Sequence, residues 1–401
     1  MFLLQSQKKR NSILILSTVA ALCFLALYTR NRAQSIDAIR TDYSSETPGR
    51  RVLKRGMALP DVIEMNLADI DEPFTENETP LFFHVPKSGG SSLKQYYGIC
   101  MHLVTASQNG IVGHEQDEEL QIVHIPPESQ QRFVNVDVST PEGLQRASYL
   151  GFGRANIAEV MFSPYLFKSA AVFEGPTYRG RAFGLFRDPV DREVSRFYYR
   201  RGAEHEVANA NTYLPELNFI TIAKYSLTSF WEGNAVVRML ADCKEGQKPR
   251  SEDLELAMEI VRRKVLVGLM DRMEESIAIF DQYFGFAPGL DFDEQWFMEC
   301  KFNKALGGGA NRNFNKKTVD PESDTYKNIA RRNRYDRELY SYVVHLFETR
   351  KQLERVDMSH GSGRVNGRVY VVPNDAENAP PFMFGEEVNE DSGEEDYGLN
   401  K

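Results

Sequence analysis

The chain has 401 residues, 42% of them hydrophobic and 11% aromatic, which excludes a disordered chain and leaves room for one large domain or two modest ones. Its net charge is −9, but seven acids lie between Glu386 and Asp396, so the remainder is nearly balanced. That balance argues against nucleic acid as a partner, and any anion the protein binds must be held by a local basic site.

From the N-terminus, Ser12 to Tyr28 (SILILSTVAALCFLALY) is a continuous apolar run long enough to cross a bilayer. Lys8, Lys9 and Arg10 precede it, and Arg30 and Arg32 follow. The basic cluster on the N-terminal side orients a single span with its N-terminus in the cytoplasm. A cleavable signal peptide is the rival reading, but no small-x-small cleavage site ends the run. The organisation expected is a cytoplasmic tail at 1–11, a membrane signal anchor at 12–29, a polar stem at 30–79, a folded domain at 80–356 and an acidic, flexible tail at 357–401. Asn77-Glu78-Thr79 is a glycosylation sequon, in keeping with a luminal domain. Cys23 lies in the apolar run, so Cys100, Cys243 and Cys300 permit one disulfide and one free thiol; the pairing stays open, with buried thiols as the alternative. No Cys or His spacing typical of a metal site is present.

Leu81–Val85 reads as a buried strand. Leu93, Tyr96, Tyr97, Cys100, Met101 and Val104 then share one helical face. Phe133–Val138 is a second strand, followed by Thr140 as the cap of a helix whose first residue is Pro141. Ala182–Phe186 and Val265–Leu269 are further strands, each entering a helix, the latter through Ile277, Phe280 and Phe284. Leu339, Tyr342, Val343, Leu346 and Phe347 mark a late amphipathic helix. Strands alternating with helices predict an α/β fold, a parallel sheet with helices on both faces.

The junction after the first strand reads HVPKSGGSSL, residues 84–93. A strand feeding a tight turn and a helix brings backbone N–H groups and the positive end of a helix dipole to one point, which is an anion site. Gly89 and Gly90 let the backbone approach closely, Ser88, Ser91 and Ser92 add hydroxyls, and Lys87 adds a full charge. An ordinary βα turn is the bland alternative. In a Walker A loop the lysine follows the glycines, whereas here it precedes them. That order resembles the 5′-phosphosulfate loop of the membrane-bound carbohydrate sulfotransferases.

A second segment, AFGLFRDPVDREVSRFYYRR (182–201), ends a strand at Arg187 and places Ser195 two turns along the next helix. A guanidinium and a hydroxyl suit one phosphate, and the pair resembles the 3′-phosphate site of the same family. Arg187 as a salt-bridge partner of Asp188 or Asp191 is the structural alternative. NAVVRML (234–240), VLVGLMDRMEESIAIF (265–280) and NRYDRELYSYVVHLF (333–347) follow the order seen in relatives of the heparan sulfate 2-O- and 6-O-sulfotransferases. VNVDVSTPEGLQRA and GRAFGLFRDPVDREVSRFYY are similar to sulfotransferase-like proteins of algae and other protists. The resemblance covers about residues 80–350.

The resemblance implies a Golgi enzyme, luminal in its catalytic part, that moves a sulfuryl group from 3′-phosphoadenosine 5′-phosphosulfate to a glycan or polysaccharide hydroxyl or amine, with no metal in the chemistry. Lys87 would stabilise charge on the leaving oxygen, Ser88–Ser92 would cradle the 5′-phosphate, and Arg187 with Ser195 would read the 3′-phosphate. The acceptor needs a base. The relatives place a histidine before the arginine strand, but GFGRANIAEVMFSPYLF (151–167) has none, so Glu159 takes that expectation, with His84, His114 and His124 as other candidates. Arg312, Lys316 and Lys317, in the basic stretch 307–317, are expected to reach the nucleotide or the sugar, with a solvated linker as alternative. A nucleotide kinase and a non-catalytic nucleotide- or glycan-binding protein are the rival readings.

Overall fold

The central strands are buried along their whole length and carry mostly apolar residues because both of their faces are covered. The computed structural model describes residues 57–126, 130–202, 214–228, 233–286, 293–306, 318–349 and 352–353, with the backbone of 362–365, 368–371 and 386–387. Seven strands form one sheet: β1 (Thr79–Phe83), β2 (Thr105–Ala106), β3 (Ile122–His124), β4 (Arg132–Val134), β5 (Val160–Ser163), β6 (Gly180–Phe186) and β7 (Val265–Leu269). The order is β3-β4-β2-β5-β1-β6-β7, and all pairs are parallel except β3 with β4. Within the segment read as an acidic tail, β8 (Ser362–Val365), β9 (Arg368–Val371) and β10 (Glu386–Glu387) pair antiparallel in a separate sheet.

The helices that matter for the site are α1 (Asp61–Asn66), α2 (Gly90–Gln95), α3 (Pro141–Tyr149), α4 (Pro189–Gly202), α5 (Ala235–Leu240), α6 (Ser251–Lys264), α7 (Met273–Phe284), α8 (Glu294–Lys301) and α9 (Arg334–Thr349). Alternate residues of the strands feed two cores. Leu81 and Phe83 of β1, Phe186 of β6 and Val267 of β7 pack with Ile260 of α6 and Val343 of α9. Phe82, Phe183, Leu185 and Leu266 pack with Leu93 of α2 and Ile277 and Phe280 of α7. The layers are helix, sheet, helix, as the strand–helix alternation predicts.

Local chemistry sets several boundaries. Thr140 Oγ1 accepts from Gly143 N at 3.1 Å and caps α3, with Pro141 first in the helix. The face from Leu93 to Met101 is buried, but a π-turn at Tyr96–Cys100 ends the helix, and Val104 lies beyond it, leading into β2. Strand β4 stops at Val134 rather than Val138. Just beyond it, Asn135 N still donates to Gln121 O, and its side chain holds the preceding loop, accepting from Gln121 N and donating to Asp117 and to Glu119 O.

Residues from Met57 onward belong to the same compact unit as the sheet, so that unit includes residues before Pro80. Ile63, Leu67, Ala68 and Ile70 are buried, and Lys264 Nζ donates to Leu67 O and pairs with Asp69. Residues 57–79, expected to belong to a stem, are therefore part of the folded unit, and residues 30–56 lie outside the described residues. Asn77 is exposed in the turn before β1. The tail at 1–11 and the apolar run at 12–29 lie outside the described residues; among the described residues no helix is long and apolar enough to cross a membrane.

Cys100 and Cys300 form a disulfide across 200 residues of chain, joining the end of the π-turn to α8, while Cys243 is a free thiol. Closing so long a loop restricts the unfolded chain strongly. Cys100→Ser should therefore lower the guanidinium unfolding free energy by about 2–5 kcal/mol, whereas Cys243→Ser should change it little. Equal losses in the two variants would mean that the crosslink contributes nothing to the folded state.

Candidate functional site

The sheet reverses its winding between β1 and β6. The chain leaves β1 toward β2 on one side and leaves β6 toward β7 on the other, while β1 and β6 themselves pair, Phe82 opposite Phe183. In an open α/β sheet the crevice beyond the carboxyl ends of two such strands is where ligands bind. The two segments singled out in the sequence emerge there together. Arg187 Nη1 donates to the carbonyl of Lys87 at 3.1 Å, closing 100 residues of chain into one contact.

The turn after β1 is built to expose N–H groups. Lys87 and Gly89 both take left-handed backbone angles, φ +67° and +91°, and alternation of this kind makes neighbouring amides converge. Helix α2 starts at Gly90, and its first bonded amides are those of Ser92 and Leu93, both donating to Gly89 O. Among the described residues no carbonyl accepts from the N–H groups of Gly90 and Ser91. Ser88 is fully buried, and its Oγ has no hydrogen-bond partner among the described residues. Ser91 and Ser92 are half-buried on the first turn. A side chain at either glycine would force its neighbours to shift. A methyl group on Gly89 would lie 2.5 Å from Met273 Cε, and one on Gly90 would lie 2.6 Å from His84 Nε2.

Positive charge collects around this turn. Lys94, one turn along α2, donates to Gln108 Oε1 at 2.6 Å, and burial pulls its pKa down to about 8. His84 lies against Gly90, and desolvation, then the charges of Lys94 and Lys87, hold its pKa down to about 4, so its ring is neutral at physiological pH. Lys87 Nζ stands 3.5 Å from the centroid of the Tyr199 ring. Tyr199 lies one turn past Ser195 on α4, and Ser195 is buried. The Ser195–Tyr199 spacing of four is the signal that would have added Tyr199 to the site. Arg187 makes no ion pair with Asp188 or Asp191 among the described residues. Asp188 instead accepts from Val190 N and Asp191 N and caps α4.

Glu159 is not part of this constellation. In the parallel register Phe83 faces Ser163, so Glu159 is level with the start of β1, about 13 Å below the turn at 3.3 Å per residue. There its Oε2 accepts from Val104 N at 2.7 Å and pairs with Arg132 at 3.2 Å. It ties β5 to the residues before β2, and the expectation that it serves as base is corrected accordingly. His124 is on β3 at the far edge of the sheet, and His114 pairs with Asp117 on the loop before it. Arg312, Lys316 and Lys317 lie outside the described residues.

The later segments hold the site in place. Asn234 Oδ1 accepts from Tyr335 N, and Asn333 Oδ1 accepts from Asn234 N. Asp336 accepts from Val236 N and Val237 N and lies 3.6 Å from Arg192 of α4. These bonds lock α5 and α9 to the helix that carries Ser195. On the other face, Tyr96 and Tyr97 donate to the buried Asp281 of α7 at 2.8 and 3.0 Å, and burial pushes that carboxyl up to about 7. This bond anchors the π-turn that continues α2.

Neither a protein-family model nor a curated protein matches the chain. The assignment of a function therefore rests on the residues themselves.

The contact between Gly90 and His84 is directly testable. Gly90→Ala should destabilise the protein by about 1–3 kcal/mol through overpacking, and Gly90→Ala with His84→Ala should recover most of that loss in denaturant unfolding. No recovery in the double variant would show that His84 is not what limits space at this turn.

Proposed function

We propose that this protein transfers a sulfuryl group from 3′-phosphoadenosine 5′-phosphosulfate to a hydroxyl or amine of a glycan. The observation that carries the reading is the contact between Arg187 and the Lys87 carbonyl, which joins two phosphate-type motifs at the switch point of the sheet. A nucleotide bearing two separate phosphates fits that pairing. Arg187 and Ser195 take the 3′-phosphate, and the amides of Gly90 and Ser91 with the hydroxyls of Ser88, Ser91 and Ser92 take the 5′-phosphate. The acceptor oxygen or nitrogen attacks sulfur, the bond from sulfur to the bridging oxygen breaks, and the electron pair stays on that oxygen. Lys87 stabilises the charge that develops there.

A glycan acceptor, a Golgi lumen address and anchoring through residues 12–29 belong to the same proposal. The Cys100–Cys300 disulfide supports an oxidising compartment. His84 is the base candidate at the turn, and it is neutral and able to accept the acceptor's proton. A base with a pKa near 4 is weak for work at neutral pH. That weakness, together with the position of Glu159, favours one second reading, a protein of the same architecture that binds the nucleotide or a glycan without transfer.

Incubation of the luminal part with sulfate-labelled donor and a panel of polysaccharides separates the two. Transfer to any glycan supports the enzyme, whereas tight binding of adenosine 3′,5′-bisphosphate without transfer supports the second reading. A requirement for Mg²⁺ with a nucleoside triphosphate would instead revive a kinase. Arg187→Ala should weaken adenosine 3′,5′-bisphosphate by about ten- to a hundredfold, as loss of a charge-assisted hydrogen bond does. The analogue lacking the 3′-phosphate should lose far less; equal losses would make Arg187 a support of the turn only.

Lys87→Met should lower turnover on the order of a hundredfold or more while leaving affinity for the spent nucleotide largely intact, because the charge it meets exists mainly in the transition state. Glu159→Gln should keep turnover within a factor of about three, since Glu159 stands at the opposite end of β5. A drop in turnover confined to Glu159→Gln would overturn both assignments.

A further inference from the structure

We infer that Tyr199 is a positioning residue for Lys87, holding its ammonium against the ring face in the ligand-free protein so that the charge is kept and aimed at the turn. The inference deepens the reading given above and rests on it for the role of Lys87. Three observations carry it. Lys87 Nζ lies 3.5 Å from the Tyr199 centroid, well inside the range at which a ring quadrupole attracts a cation. Tyr199 is one turn from Ser195 on the same face of α4, and that helix is fixed by the Asp188 cap and by Arg192 beside Asp336. The Lys87 backbone is fixed as well, by its left-handed angle and by Arg187 on its carbonyl. With both ends pinned, the ammonium is set against the ring face.

The consequence is electrostatic. Lys94 and Arg187 stand near the same turn, and like charge favours the neutral amine. The ring face offsets that pressure, because it interacts with the ammonium and not with the free amine. Phosphate oxygens entering the turn offer the ammonium stronger partners, so it leaves the ring when the nucleotide binds. The helix that reads one phosphate thus carries the resting seat of the lysine that meets the other.

Trace acetylation with acetic anhydride, read peptide by peptide by mass spectrometry on the folded protein, tests this without relying on turnover. The neutral, accessible amine is what reacts. Lys87 should be labelled about two- to thirtyfold faster in Tyr199→Leu than in the wild type, the factor expected for loss of a cation–π contact, while Tyr199→Phe should match the wild type. Exposed Lys248 normalises the reagent, and buried Lys264 reports unfolding. Should Tyr199→Leu unfold, Tyr199→Met fills much of the same volume without a ring face. An unchanged Lys87 rate in the folded Leu or Met variant, or a rise in Tyr199→Phe as large as theirs, overturns the positioning role. Adenosine 3′,5′-bisphosphate should slow Lys87 labelling in the wild type and in Tyr199→Leu alike. Absence of that protection in the wild type would sink the nucleotide reading while leaving the Tyr199 comparison to stand or fall by itself.

Discussion

The parallel pairing of β1 with β6 is the constraint on which the site depends. Each strand ends in a motif that is incomplete alone: a turn with free amides and one lysine after β1, a guanidinium and a helix after β6. Hydrogen bonds between Thr79–Phe82 and Gly180–Phe183 set their register, and the register delivers Arg187 to the Lys87 carbonyl. The apolar cores on both faces keep that register from slipping, because a shift of one residue would exchange Phe82 and Phe83 between the two cores. Packing therefore determines the distance between two groups that never meet in sequence.

The turn after β1 accumulates features that are costly unless a ligand or a neighbour compensates them. A lysine at φ +67° is strained by about 1–3 kcal/mol, a fully buried serine hydroxyl lacks a partner among the described residues, and two ammonium groups and a guanidinium share one crevice. Such concentrations occur at functional sites, where the surrounding structure over-determines an unfavourable local state. Here the surroundings are identifiable. Met273 and His84 fill the space over the two glycines, Asp281 holds the π-turn through two tyrosine hydroxyls, and the Tyr199 ring faces the Lys87 ammonium. An anion with several oxygens would relieve the amides, the hydroxyl and the charges at once.

Elements whose apolar runs are long and punctuated are legible in the sequence. Val265–Leu269 emerges with the bounds its run suggests, and the β1 and β6 runs mark strands that start two residues before them. Strands β2 and β5 are not legible. Each spans only a few residues, and β5 lies between β1 and β2 in space but reads, in VMFS, as too short a run to separate from its flanks. Missing β5 is also what misplaces Glu159, since only the strand's direction reveals that a residue before it lies at the opposite end from the turn. The motifs after β1 and β6 are legible because their residue order is local. Tyr199 and Lys94 are not, because an aromatic ring and a lysine on a helix have many ordinary uses, and only the fold brings these two to the crevice. NAVVRML and NRYDRE prove to be partners of each other: Asn234, Asn333 and Asp336 form a single set of helix-end hydrogen bonds.

The sheet also constrains where an acceptor can approach. On the proposed reading the β6 side of the turn is filled, since Arg187, Ser195 and Tyr199 all come from β6 and the helix after it. The β5 side is different. There His84 N donates to Ser163 O at 2.9 Å, joining the ends of β1 and β5, and Tyr165 follows as an exposed ring with Lys168 beside it. On that reading, a sugar entering along this rim would meet an aromatic face and a cation before the turn, a combination that suits a saccharide carrying negative charge. It would also reach His84 first among the candidate bases, since Glu159 lies at the opposite end of β5. On the proposed reading, the direction of entry and the choice of base would both follow from the strand order that brings the turn after β1 to Arg187.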